Sequence, residues 1–204
     1  MLGVERDAFV RRISARLGDA ASRGPALELP QLPSTVGEDE GLVPLFTRRA
    51  AEAGVTVDRV ETRANALEAV ADLLAGRGEA ATLACPEDLR WPGLGGRWAS
   101  DPRMATVGLS EADWGIAVTG GVVFRHEGSR GRSCSLLPAT VAILLPVSRL
   151  RLDLAAVLRE VAGLPAPACI TFMTGVSHSA DIASVTCRGV HGPGEVVLWL
   201  IDGE

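Results

Sequence analysis

The sequence predicts an α/β protein, an open mixed sheet with flanking helices, preceded by a helical N-terminal arm. Three observations carry this. From about Leu42 onward, apolar residues at helical intervals alternate with short β-branched runs. The segment between Gly115 and Leu145 is rich in apolar runs broken by glycine and proline, the signature of short strands. Upstream, Asp19 to Gly41 carries Pro25, Pro30 and Pro33, which neither a helix interior nor a central strand accommodates. Residues 1–41 are therefore assigned to an arm and residues 42–204 to the α/β domain.

The elements follow in order. Val4 to Leu17 places Val4, Phe9, Ile13 and Leu17 on one face, with arginines between them and Gly18 to end the helix. Pro44 suits a first helical turn, and the helix runs over Leu45–Ala53 to a C-terminal Gly54. Val55–Val60 reads as a strand, Asn65–Leu74 as a helix with Leu67, Val70, Leu73 and Leu74 aligned, and Ala81–Ala84 and Ala105–Gly108 as short strands. Ser110 is read as the N-cap of a short turn over Glu111–Trp114. Gly115–Val118, Val122–Phe124, Cys134–Leu137 and Val141–Leu145 follow as the strand-rich stretch. Leu152–Val161 is a helix closed by Gly163, and Ile170–Met173 and Val196–Ile201 are expected as buried strands.

Composition narrows the function. Of 204 residues, 22% are charged and 47% hydrophobic, which is globular rather than disordered. A net charge of −5 argues against a nucleic-acid or membrane-surface partner, both of which need a basic face. All 20 basic residues are Arg, and Tyr is absent, so Schiff-base chemistry, a P-loop lysine and a tyrosine acid are excluded. The cysteines, Cys85, Cys134, Cys169 and Cys187, form no C-x-x-C pair, so no iron–sulfur cluster, zinc or other cofactor site is expected, and each reads as a buried thiol. No stretch approaches a membrane span and no apolar leader opens the chain, so a cytoplasmic location is expected.

Three segments could carry chemistry. In Ala112–Gly121, Thr119 offers a hydroxyl, and the N–H groups of Gly120 and Gly121 offer an anion cradle; the alternative is a tight turn between strands. In Thr174–Ile182, a Gly/Ser-rich loop leaves a strand for an expected helical turn. There Ser177 and His178 could contact an anion, and His178 and Asp181, three apart, could share a face as a proton-transfer couple or metal ligands. Capping by Ser177 or Ser179 is the competing reading. In Gly189–Gly194, His191 beside Gly192 either points into a cleft as an acid–base group or braces the turn through a backbone carbonyl. His126, before Arg130 and Arg132, reads as a solvated hairpin tip without a role, and Trp91 and Trp98 flank a Gly-rich loop, either covering a pocket or packing.

Together and in this order, Ala112–Gly121, Leu136-Leu137-Pro138, Gly175–Ile182 and Gly189–Pro193 resemble the LUD-domain proteins of the lactate-utilisation protein C family, whose pattern is ADxGIAxTGT, LLP, GPSxTADI and GVHGP. The resemblance implies a fold similar to the ribose-phosphate isomerase and CoA-transferase group. It also implies a role in oxidising L-lactate to pyruvate beside iron–sulfur partner proteins, as a component without a cluster. Departures stand at Val118 in place of a Glu, Gly121 in place of Thr, Val176 in place of Pro and His178 in place of Arg or Lys. Thr140–Ala142 lacks a His found in the family, and Ala183 replaces an acid.

Three functions are carried forward. One is a subunit or accessory of a lactate-oxidising iron–sulfur complex. Another is an isomerase- or transferase-like enzyme for a small anionic or phosphorylated ligand, with Thr119, Gly120, Gly121, Ser177, His178 and Gly192 binding it and Asp181 and His191 as acid–base groups. The last is a degenerate relative that keeps the fold for binding alone. Self-association is left open.

Overall fold

The computed structural model describes residues 6–17, 41–94, 97–127, 131–180, 186–189 and 191–203. The chain divides into two compact units, Met1–Gly37 and Glu38–Glu204. In the first, helix α1 covers Arg6–Leu17 and exposes Val10 and Ile13. The Pro-rich stretch expected over residues 19–41 lies, apart from Gly41, outside the described residues.

The second unit is α/β. Helix α2 (Leu42–Glu52) leads to β1 (Thr56–Val60), then α3 (Arg63–Ala75), β2 (Leu83–Ala84) and β3 (Val107–Glu111). A hairpin follows, β4 (Trp114–Ile116) and β5 (Gly121–His126), then the single turn α4 (Ser133–Leu136) and β6 (Thr140–Pro146). β7 (Leu150–Arg151), α5 (Leu154–Ala162), β8 (Cys169–Met173), the pair β9 (His178–Ala180) and β10 (Thr186–Arg188), and β11 (Glu195–Ile201) complete it. Thr62 caps α3, its hydroxyl accepting from Asn65 N–H at 3.2 Å, and Asp153 caps α5, its carboxylate accepting from Ala156 N–H at 2.7 Å.

Five strands form a parallel sheet in the order β1-β11-β6-β3-β2. Every residue of β6 is buried, as a strand covered on both faces requires, and this explains its unbroken apolar run. Alternate residues of the sheet, among them Leu109, Leu144 and Trp199, pack on Ala66, Val70 and Leu74 of α3. Trp91 and Trp98, edge to face at 6.0 Å, pack against the same cluster, so their role is packing. A second sheet, β7-β4-β5-β8, lies over the opposite face: at Gly115 a side chain would strike Leu145 of β6, Leu150 and Phe46 of α2. Helix α5 covers the outer face of this second sheet, Val157 and Val161 packing on Trp114, Ile116 and Val123.

Several sequence expectations need correction. Ser110 does not cap a turn; it and Glu111 complete β3, because pairing of Ser110 with Ile143 and Glu111 with Leu144 outweighs the local capping preference. Cys134–Leu137 belongs to a helical turn, not a strand, and Gly108 admits that turn: any side chain there would collide with the Cys134 carbonyl. β8 is an edge strand and only half-buried, with Phe172 exposed. His126 is not solvated; it sits 8% exposed with Nε2 2.9 Å from Thr171 Oγ1, because β5 continues through it to pair with Cys169. Cys85 and Cys134 are buried as expected, Cys169 is half-buried, and the Cys187 side chain lies outside the described residues.

The outer layer yields a pH prediction. The Arg151 guanidinium, and after it the Trp114 indole N–H at 2.8 Å, hold the Glu160 carboxyl below its ordinary value of 4.5. A depressed folded-state pKa contributes stability that is fully present above the unfolded value and lost as pH falls through the folded one. Urea unfolding of wild type and Glu160→Gln is therefore expected to differ most near neutrality, the gap closing as pH drops below 4.5. A gap independent of pH would contradict this assignment.

Candidate functional site

The last turn of α2 is the seat of two of the three loops singled out by sequence. Gly120 has φ +64°, and a side chain there would run into the Arg49–Ala50 backbone. Gly175 has φ +74°, and a side chain there would run into the Ala53 carbonyl, which accepts a hydrogen bond from Val176 N–H at 3.3 Å. Only glycine combines that conformation with backbone-to-backbone contact. Gly54, at φ +82°, ends α2 against Val176, whose methyl would lie 3.2 Å from an added Cβ.

These packing duties decide what Thr119, Gly120 and Gly121 can do. Gly120 N–H donates to the Ile116 carbonyl at 2.9 Å, and Gly121 N–H donates to Thr119 Oγ1 at 3.2 Å. The Thr119 hydroxyl turns back on Ile116 O at 3.4 Å. Both N–H groups are thus spent inside a tight turn, so the anion cradle considered for Gly120 and Gly121 is not formed here. A side chain at Gly121 would also meet Thr174 Oγ1 at 2.6 Å, so this turn and the second loop touch. Val118, where the resemblance places a carboxylate, packs against the Trp114 cluster under α5.

The second and third loops meet as well. Ser177 N–H donates to the Pro193 carbonyl and Gly189 N–H donates to the Ser177 carbonyl, both at 2.9 Å. Gly192 faces Ser177 so closely that an added Cβ would lie 3.3 Å from the serine Cβ. Gly194 and Glu195 N–H groups both donate to Ala139 O, fixing the third loop at the start of β11 beside β6. His191, next to Gly192, is exposed.

The expected helical turn after Ser177 is a strand instead. His178 begins β9 and pairs with Arg188 of β10, so the helical spacing that would align it with Asp181 does not apply. Pairing with the neighbouring strand β10 overrides the capping signal of the serines here. His178 is exposed, with Nδ1 2.9 Å from the Val176 carbonyl. Asp181 lies outside the described residues. The structure therefore joins Thr119, Gly120 and Gly121 to Thr174 and Gly175, and Ser177 to Gly192 with His191 beside it.

Among the described residues, no three His, Cys, Asp or Glu side chains gather as a metal site. Burial raises the Cys85 thiol to about 11 against the opposing pull of Arg90, and burial raises Cys134 as well. Both therefore stay protonated and are poor nucleophiles and ligands.

A second cluster, missed in the sequence, lies at the carboxyl ends of β2 and β3. Glu111 carries a side chain 6% exposed, gripped by Arg63 at 2.6 Å and Arg149 at 2.9 Å. Arg63 opens α3 and Arg149 follows β6, so this carboxylate ties three elements together. Arg149 also donates to Ala112 O at 3.0 Å. Ser110, Glu111 and His126 line one cleft with Pro86, Leu89 and Phe124. The usable sequence signal was an acidic residue ending an apolar run, at the strand end where open α/β sheets place ligands.

Comparison with known proteins places this geometry. The LUD domain family model matches residues 95–201. Lactate utilization protein C of Halalkalibacterium halodurans is 38% identical over 104 residues, 48% of this chain and 45% of that protein. Lactate utilization protein C of Bacillus subtilis is 36% identical over 104 residues, 48% of this chain and 43% of that protein. The uncharacterized protein YkgG of Escherichia coli is 34% identical over 116 residues, 54% of this chain and 50% of that protein. The chain spans about half the length of the curated relatives it matches. The crystal structure of a DUF162 family protein from Deinococcus radiodurans has the same fold, with a TM-score of 0.60 at 20% identity over 78% of this chain and 96% of that one.

The exposure of His191 gives a clean probe of the third loop. His191→Ala is expected to change unfolding free energy by less than about 0.5 kcal/mol, as for an exposed side chain. Thermal or urea unfolding checks this, and a loss well above that figure would support the bracing role.

Proposed function

The chain belongs to the LUD domain family, and from that membership we propose that it serves L-lactate utilisation as a subunit or accessory, itself without a cluster, of a cytoplasmic iron–sulfur system that oxidises L-lactate to pyruvate. One observation carries the reading: the matched region, residues 95–201, contains all three loops that interlock around α2 and β11. Several of the relatives it matches are named lactate utilization protein C.

The chemistry of the chain supports an accessory rather than a self-contained catalyst. Cys85 and Cys134 are buried thiols held protonated, unsuited to binding iron. The N–H groups of Gly120 and Gly121 are consumed by their own turn, and an apolar side chain occupies position 118. Thr119, His178 and His191 face solvent, and Ser177 and Gly192 are half-buried. Together with Asp181, these are the proposed contact residues for a partner protein or a small anionic ligand.

The test is L-lactate-dependent pyruvate formation in extracts of a strain lacking this gene, with and without the purified full chain. Loss of pyruvate formation in the deletion, restored by adding the protein, is the expected result. Formation that is unchanged in the deletion overturns the proposal.

A further inference from the structure

A strand at the rim of a sheet leaves a row of backbone N–H and C=O groups unpaired, and proteins guard such rims against other strands. Among the described residues, the two larger sheets end in β1, β2, β7 and β8. Three of these rims are guarded. β1 carries Asp58 and Arg59. β2 is only two residues long and is covered by the chain itself, Leu83 N–H donating to Arg97 O at 2.8 Å and Ala99 N–H donating to Leu83 O at 2.9 Å. β7 is also two residues long and carries Arg151, ion-paired with Glu160.

The remaining rim, β8, has none of these devices. It runs for five residues, Cys-Ile-Thr-Phe-Met, without a charge, a proline or a glycine. It pairs with β5 on one side and, among the described residues, with no strand on the other. The register with β5 sets Ile170 opposite Arg125 and Phe172 opposite Val123, so Ile170 and Phe172 share the face that α5 covers. Ile170 packs on the cluster beneath that helix, whereas Phe172 is 47% exposed. α5 itself exposes Leu154 and Leu158, and the segment joining α5 to β8 exposes Leu164.

Charge decides which strand this rim fits. In a twofold contact each strand meets a copy of itself, so like charges near the axis would face one another. From Gly163 to Ser177 the chain holds no charged side chain. A charged partner strand finds nothing there to select it, and a second β8 finds nothing to repel it.

We infer that β8 is a self-association edge, on which the β8 of a second copy of this chain adds in antiparallel sense about a twofold axis at Thr171. That register sets Phe172 against Ile170 of the second copy, Cys169 against Met173 of the second copy and the two Thr171 side chains against each other. The exposed phenyl ring gains an apolar neighbour, and the two four-stranded sheets become one. Two five-residue strands with their flanking leucines bury less than the standard interface of about 1,600 Å², so the dimer is reversible and depends on concentration.

The experiment is sedimentation equilibrium of the full chain under reducing conditions, from about 5 to about 500 µM. A monomer–dimer equilibrium within that range is expected. Phe172→Lys sets a charge on the exposed position of each strand and is expected to weaken association at least about tenfold, with thermal unfolding unchanged. Met173→Cys sets a thiol opposite Cys169 of the second copy. Oxidation by dissolved oxygen with a copper catalyst is expected to give a covalent dimer joined through Cys169 in peptide mapping, and none when Cys169→Ser is added. A chain monomeric throughout, association that Phe172→Lys leaves unchanged, or a Met173→Cys chain that forms no covalent dimer through Cys169 overturns the inference. Where Phe172→Lys also lowers the unfolding temperature, the crosslink decides alone.

Discussion

The structure depends on backbone touching backbone at the last turn of α2. Two loops far apart in sequence, Thr119–Gly121 and Thr174–Ser177, must both lie against Arg49–Gly54, and no side chain fits between. Glycines at positive φ meet this demand twice, at Gly120 and Gly175. Once the loops are seated, Gly121 lies against Thr174 and Ser177 bonds to Pro193 and Gly189, so the third loop is carried into place and β11 is set between β1 and β6. The motif glycines are therefore scaffold residues, and the chemistry they leave available is on the outward side chains.

The opposite end of the parallel sheet is held by charge instead of close packing. Glu111, almost fully buried, is satisfied by two arginines from two different elements. Removing either partner would leave a buried carboxylate short of compensation, which is costly, whereas the intact trio fixes the edge of the cleft. The two ends thus differ in kind: one is dense, interlocked and spent on its own hydrogen bonds, the other is tied by a buried carboxylate held between two guanidinium groups.

How far the sequence foretold this can be argued residue by residue. The α/β class, the helices over α2, α3 and α5 and the strands β1, β6 and β11 were legible because each has strong local periodicity or a continuous apolar run. Ser110, Glu111 and Cys134–Leu137 were misplaced because a good capping residue and an apolar tetrapeptide carry the same local signal in either structure, and only pairing with β6 or the close approach at Gly108 decides. His126 was misjudged because its burial comes from β8, more than forty residues away in sequence, through Thr171. The three loops were visible as glycine clusters, but glycine marks close approach without saying to what; whether backbone or ligand fills that space is a tertiary fact.

The measurement that tests this account most directly is equilibrium unfolding of Gly175→Ala beside Gly78→Ala. Gly78 also has positive φ, +101°, but an added Cβ there meets nothing within 4 Å, so alanine pays only backbone strain, about 1 kcal/mol. Gly175→Ala adds a collision with the Ala53 carbonyl and is predicted to lose about 3 kcal/mol or more. Equal losses at the two positions would contradict the claim that the loop glycines exist to seat the backbone on α2.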